Sequence, residues 1–361
     1  MQKIKFINKS EATFFTTLRS KVDNYFKENN YSKSGGSQIL TKAIIMLSIY
    51  FIPYFIILFA GLNNIQNLIL CVVMGIGVAG TGMSVMHDAI HGSFSENKLM
   101  NKIFGSSIYF LGGNAYNWEV QHNQLHHTYT NIHDLDEDIT GKFLLRLNVE
   151  EKKKPIHRFQ HAYAFLLYSL MTISFLWKDF KEIKLFNSLA KDGIVKSFPT
   201  KELIILIATK ILYIVFIMVI PMLVLHIGFG TWFLGFMAMH MTSGLILSTI
   251  FQLAHVVEDA AQPIPDENAC VQNAWAVHQL RTTANFSGKS KLLSWYIGGL
   301  DYQIEHHLFP KISHIYYKDL SKIVAETAKE FNLMYNSKGS FMNALHSHIQ
   351  MLKKLGTAET I

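Results

Sequence analysis

The chain has 361 residues, of which 50% are hydrophobic and only 16% charged, with a mean hydropathy of +0.19. Apolar residues outnumber charged ones about threefold, which excludes a disordered or coiled-coil protein. They gather in long uncharged runs that a water-soluble core does not need, so the composition points to a membrane protein.

The first 38 residues are lysine-rich with mixed charge and lack the short apolar core and cleavage site of a secretory signal. From Ala43 to His87 there are 45 residues without Asp, Glu, Lys or Arg, divided by the polar turn Gly61–Asn67. From Ile211 to Val257 there are 47 more, broken near His226–Gly230. Each run is long enough for two spans of about 20 residues. Four transmembrane helices in two hairpins are therefore expected, over 41–61, 66–88, 204–226 and 231–254. Pro53 and Pro221 fall inside them as tolerated kinks. Ile103–Trp118 is short and Gly-rich, and Phe159–Trp177 carries polar residues near its start, so both read as interfacial segments.

With four spans, the Lys and Arg residues number 8 before the first hairpin, 14 between Asp88 and Glu202, and 10 after Glu258. Of 33, 32 then share one face, and Lys210 lies early enough in the third span to snorkel toward it. The positive-inside rule makes that face cytoplasmic. The net charge of +7 thus describes membrane topology and calls for no nucleic-acid partner. Cys71 and Cys270 form neither a disulfide framework nor a paired metal site.

Eight of the 17 histidines fall in four short windows: His87 and His91 in HDAIH, His122, His126 and His127 in HNQLHH, His255 in FQLAH, and His306 and His307 in QIEHH. All four windows lie at the cytoplasmic ends of spans or in cytoplasmic segments. HxxxH on an α-helix places two imidazoles on one face, one turn apart. A single such pair is commonly a chance surface pattern, but several at one membrane face read as a metal site. Imidazole suits iron, zinc, copper or nickel, so ligand type leaves the metal open. Eight donors exceed the needs of one ion and imply two. The carboxylate-bridged soluble di-iron pattern is disfavoured, since Glu119–His122 is the one Glu-x-x-His match. Asp88, Asp136, Asp138, Glu258 and Asp301 read as carboxylates that orient imidazole N–H groups, whereas Asp134 reads equally well as solvated loop. His226 and His240, away from the cytoplasmic face, read as packing residues. A metal transporter is disfavoured because it needs polar ligands along a path through the membrane.

The ordered boxes HDAIH, HNQLHH and QIEHH resemble those of the membrane fatty acid desaturases over about Ile39–Tyr317. That resemblance implies an all-α integral membrane protein: two hairpins of transmembrane helices, with a cytoplasmic helical cap holding a His-rich non-haem di-iron site. It assigns residues 39–317 to the desaturase domain, 1–38 to a cytoplasmic N-terminal segment and 318–361 to a cytoplasmic helical tail. By the same resemblance His87, His91, His122, His126, His127, His255, His306 and His307 are the catalytic iron ligands, with Gln303 in or beside the coordination sphere. Trp275, Gln279, Thr282 and Asn285 continue the family pattern, and His278 has no assignment.

A third box opening with Gln303 is similar to the front-end desaturases, which place a cis double bond between an existing one and the carboxyl end. The implied cosubstrate is O₂, the substrate a fatty acyl-CoA or acyl-lipid, and the cofactor two iron ions. No HPGG haem motif is present, so a ferredoxin or cytochrome b5-like donor is expected as a separate partner. Lys152–Lys154 fits either an acidic carrier or CoA head group, or an anchor to anionic lipid. The alternative function is a hydroxylase of the same di-iron superfamily, which shares the boxes.

Overall fold

A computed structural model describes residues 2–8, 11–139, 143–288 and 290–360. In chain order the main helices are α1 (Ala12–Glu28), α2 (Gly36–Phe59), α3 (Asn64–His91), α4 (Met171–Lys191), α5 (Thr200–Leu225), α6 (Phe229–His255), α7 (Trp275–Thr282), α8 (Gln303–Leu308), α9 (Tyr317–Glu330) and α10 (Phe341–Thr357). Extended pairing among the described residues is slight: Lys5–Phe6 runs parallel to Cys270–Val271. The chain forms two compact units, one of residues 36–118 and 165–249, the other of 1–35, 119–164 and 250–361.

In the first of these, α2, α3, α5 and α6 are long and apolar enough to cross a membrane. They match the four expected spans, each shifted by a few residues at its ends. The break between α2 and α3 falls in the expected turn because Asn63 caps α3: its Oδ1 accepts from the N–H groups of Ile65 and Gln66, while Gln66 returns Oε1 to the Asn63 N–H at 3.1 Å. Ile52, Phe55 and Phe59 project outward from α2, as suits a surface solvated by lipid. Gly75 and Gly77 set the helix packing. A Cβ on Gly77 would lie 2.6 Å from the Tyr50 backbone nitrogen, and one on Gly75 would lie 2.5 Å from the Met239 carbonyl oxygen. Such close backbone approach is how membrane helices gain dispersion contact without a hydrophobic driving force.

Pro221 cannot donate to the Ile217 carbonyl one turn back. The Trp232 indole N–H donates to that oxygen instead, at 2.8 Å, and residues Val215–Val219 widen into a π turn. The proline therefore leaves that carbonyl satisfied inside the apolar layer.

Two expectations are corrected here. Lys210 does not snorkel; it is buried, and its ammonium donates to the Gly112 (2.5 Å) and Phe175 (2.7 Å) carbonyls and to Asp179 (2.5 Å). A carboxylate and two carbonyls at hand make the buried charge cheaper than a stretched side chain. His226 is not packed but exposed, capping α5 in the left-handed conformation (φ 52°). His240 is packed as expected, hydrogen bonded to the Tyr213 hydroxyl at 2.7 Å. Ile103–Trp118 is a chain of short helical pieces rather than a span. Phe159–Trp177 is broken, with arms bent by 88°.

In the other unit, α1 buries Phe14, Leu18, Val22 and Phe26, a four-residue repeat that forms one helical stripe. The stripe packs with Ala276, Val277 and Leu280 of α7, Ile304 and Leu308 of α8 and Leu320 and Val324 of α9. At about 1.5–3 kcal/mol per large buried side chain, α1 holds the helices that carry the third histidine box.

Candidate metal centre

The second box does not lie on a regular α-helix. Glu119–His126 is wound as a π-helix, which brings residues five apart, rather than four, onto one face. The His122 and His127 Nε2 atoms consequently lie 3.3 Å apart, and the expected one-turn pairing of His122 with His126 becomes a stacked pair of rings 5.1 Å between centroids. A π turn over Gly82–Met86 similarly precedes the first box. His87 and His91 close α3 with ring centroids 4.6 Å apart, each 5.5 Å from the Trp118 indole and nearly perpendicular to it.

Three helices meet at the second and third boxes. His126, His255 and His307 bring one ring nitrogen each within 4.8 Å of one another, and so do His127, His306 and His307. His122, His126 and Asp138 form a third such group. His127 Nε2 is 3.0 Å from His306 Nε2. All six rings are buried.

Four of these rings are anchored through the other nitrogen. His126 Nδ1 is 3.0 Å from both oxygens of Asp136, His307 Nδ1 is 2.8 Å from Gln279 Oε1, His306 Nδ1 is 3.2 Å from the Tyr317 hydroxyl, and His255 Nδ1 is 3.4 Å from the Thr282 carbonyl. With Nδ1–H donating to a carboxylate, an amide oxygen or a carbonyl, the lone pair is left on Nε2. The Nε2 atoms of His126 and His255 have no hydrogen-bond partner among the described residues. Buried imidazole nitrogens that converge with lone pairs inward and no donor to meet them fit a metal ion.

Asp136 is itself fixed: it is fully buried and accepts from the backbone N–H groups of Asn131 (2.8 Å) and Asp138 (3.0 Å). Burial by itself lowers the basicity of His126, but Asp136 and Asp138, with the hydrogen bond to Asp136, more than reverse this and push the imidazole up to about 9. That electrostatic field favours any cation at Nε2, a proton or a metal. Asp138 also accepts from Gln121 at 2.9 Å.

Gln303 is buried one turn before the third-box histidines, and its amide nitrogen has no hydrogen-bond partner among the described residues. Asp88 lies 3.6 Å from His87 Nδ1, and Asp301 is buried and accepts from Ser294 at 2.9 Å. Glu258 departs from expectation. The chain turns after His255 so that Val256 and Val257 are buried and Glu258 is exposed, where its carboxylate faces Ser347 at 3.4 Å. His278 is buried against the Phe6 ring (centroids 4.9 Å) and lies outside the clusters; burial pulls its imidazole down to about 4.

A family model for fatty acid desaturases matches residues 63–339. The chain is also 33% identical to the sn-1 linoleoyl-lipid 6-desaturase of Synechocystis sp. over 99% of both chains. The chain belongs to the fatty acid desaturase family. It is 31% identical to the acyl-lipid (8-3)-desaturase of Physcomitrium patens, covering 99% of this chain and 74% of that one. It is 30% identical to the Delta(5) fatty acid desaturase A of Dictyostelium discoideum, covering 98% and 76%.

Several residues that shape this desaturase's histidine cluster escape a reading of the boxes alone. Tyr317 and Thr130 carry no motif; the Thr130 hydroxyl donates to Gln279 Oε1 at 2.9 Å and so orients the acceptor of His307. Glu305, inside QIEHH, is buried and accepts from Asn285 (2.7 Å) and Tyr335 (2.9 Å). Burial pushes its carboxyl up to about 7 against those two hydrogen bonds. Asn285 also accepts from the Ile304 N–H at 2.9 Å, which ties the start of α8 in place. Gln279 and Asn285, which continue the family pattern, are the residues that tie Thr130 and Glu305 to this network.

Proposed function

We propose that this desaturase acts on fatty acyl chains of membrane lipids with O₂, and that it is a front-end enzyme. The observation that carries the metal reading is the convergence of buried, Nδ1-anchored imidazoles with inward Nε2 atoms. His87, His91, His122, His126, His127, His255, His306 and His307 would hold two iron ions, with Gln303 beside them. Iron bound there would supply the O₂-derived oxidant that an unactivated C–H bond, lacking an acidic proton or a leaving group, requires.

The chain's own residues orient the imidazoles, through Asp136 for His126, Gln279 for His307 and Tyr317 for His306. Burial of the cluster excludes bulk water, which suits selective removal of two hydrogens over side reactions. The two C–H bonds would give up two electrons and two protons, a separate ferredoxin or cytochrome b5-like donor two more electrons and solvent two more protons, so that O₂ leaves as two waters. The concentration of lysine and arginine outside the spans supports a cytoplasmic active site.

Front-end action on lipid-bound chains is supported by Gln303 at the head of the third box and by relatives named as linoleoyl-lipid 6- and acyl-lipid (8-3)-desaturases. The test is the lipid-class-resolved fatty acid profile of a host supplied with polyunsaturated precursors and expressing the chain, with double bonds located by mass spectrometry. New unsaturation on the carboxyl side of an existing bond in intact lipids is expected. A first double bond in saturated chains would overturn the front-end reading, conversion confined to acyl-CoA the lipid carrier, and oxygenated products the desaturation itself.

A further inference from the structure

The lysines Lys152–Lys154 take no part in the metal centre, yet the structure holds them in a built surface. Arg146 is fully buried, and its guanidinium donates to the carbonyls of Val149 (2.6 Å), Glu151 (2.7 Å), Leu355 (2.7 Å) and Ala358 (2.7 Å). Leu355 and Ala358 lie at the carboxyl end of α10, so the cation caps carbonyls that have no helical donor and sits at the negative end of the helix dipole. Gln160 adds a second tie, donating to the Arg146 (2.9 Å) and Leu352 (2.8 Å) carbonyls. Lys153 reaches the Thr357 carbonyl at 3.3 Å and pairs with Glu359. Residues 143–160 are thereby clasped to the last turns of α10.

The clasped segments carry six cations, Lys152, Lys153, Lys154, Arg158, Lys353 and Lys354, together with three bulky exposed apolar side chains. Phe143 is 73% exposed, Phe159 60% and Ile156 43%. The Lys154 ammonium lies 3.7 Å from the Phe143 ring centroid and the Arg158 guanidinium 5.9 Å from that of Phe159. Isolated exposed apolar residues need no explanation, but aromatic rings capped by cations do. The combination suits a bilayer interface, where rings sit at headgroup depth, aliphatic stems lie along apolar material and charged heads meet phosphates. A soluble acidic carrier offers complementary charge without burying three large apolar side chains.

We propose that this surface binds anionic phospholipid of the surrounding bilayer, with Phe143, Ile156 and Phe159 among the upper acyl carbons and Lys152, Arg158, Lys353 and Lys354 on the headgroup phosphates. The assignment does not rest on the reading of the metal centre. It predicts that the full-length protein, released from mixed micelles and weighed by native mass spectrometry, retains phosphatidylglycerol over phosphatidylcholine, less so at high salt. Each basic residue near such a surface changes affinity about fivefold. Lys152→Glu/Lys353→Glu/Lys354→Glu should therefore lower the preference at least about tenfold. Phe143→Ser/Phe159→Ser should weaken retention of both lipids, and equal thermal midpoints in detergent would show that neither variant has lost its fold. If a variant unfolds, hydrogen exchange of residues 143–160 in wild type decides: protection in phosphatidylglycerol nanodiscs exceeding that in phosphatidylcholine supports the proposal. Equal retention and equal protection in the two lipids would overturn it. So would an unchanged lipid preference in the triple variant accompanied by slower reduction by an acidic ferredoxin, which would give the surface to the electron donor.

Discussion

His126 Nδ1 stands 3.0 Å from both oxygens of Asp136, a carboxylate that is fully buried and held by two backbone N–H groups. The pair fixes the ring, its tautomer and its electron richness together. Asp136→Asn should keep the fold and lower iron content and turnover by about 10- to 100-fold. Iron per chain and product formation would be read on the same preparation, and a variant with wild-type values of both would remove Asp136 from the account.

A smaller loss is expected at His306. Tyr317→Phe removes one hydroxyl at 3.2 Å and leaves the ring packing, so turnover should fall several-fold with most of the iron retained. His306→Ala should abolish activity. Equal losses in the two variants would mean that Tyr317 does more than orient the imidazole.

In the membrane helices, the Trp232 indole satisfies the carbonyl that Pro221 frees. Trp232→Phe keeps the aromatic bulk and leaves the Ile217 oxygen bare in an apolar layer, at a cost of about 1–3 kcal/mol. A lower thermal midpoint in detergent checks this. Pro221→Ala in the same background should restore part of the loss, because an N–H returns to the helix.

Lys210 and Asp179 form a buried pair of the kind that is costly to break from one side. Lys210→Met alone should destabilise by about 3–5 kcal/mol, while Lys210→Met with Asp179→Leu should recover much of it. Non-additive shifts of the unfolding midpoint would show the coupling, and strict additivity would deny it.

Stability should also depend on pH through His348. Its Nδ1–H donates to the Val256 carbonyl at 2.6 Å, and burial, outweighing that bond, holds the imidazole down at about 4. The unfolded chain binds the proton near pH 6.5, so the stabilisation is complete above that value and is lost as the pH falls toward 4, by at most about 3 kcal/mol. His348→Asn keeps a donor without the titration. It should flatten the fall of the thermal midpoint between pH 7 and 5.

The four spans were legible because bilayer thickness sets their length and charge is excluded from their middle, and the third and fourth came within four residues of 204–226 and 231–254. The histidine windows were legible as a set. Their winding was not: HNQLHH has the spacing of an α-helical pair, and nothing in residue type distinguishes a π turn that joins His122 to His127. Lys210 was misplaced because its partner Asp179 lies 31 residues away in a stretch that sequence treats as a polar connection. Glu258 was misplaced for a related reason. Nearness to His255 in sequence does not say which way a side chain points after the helix ends, and the buried Val256 and Val257 turn it outward.

The most direct test of the central claim is the iron content of the purified full-length protein, with Mössbauer spectra of ⁵⁷Fe-grown material, compared with His126→Ala and His255→Ala. About two irons per chain with nitrogen-rich ligation are expected, with loss of iron and desaturation together in both variants. Full iron and full activity without either histidine would contradict it, as would a wild-type protein that desaturates while holding no iron.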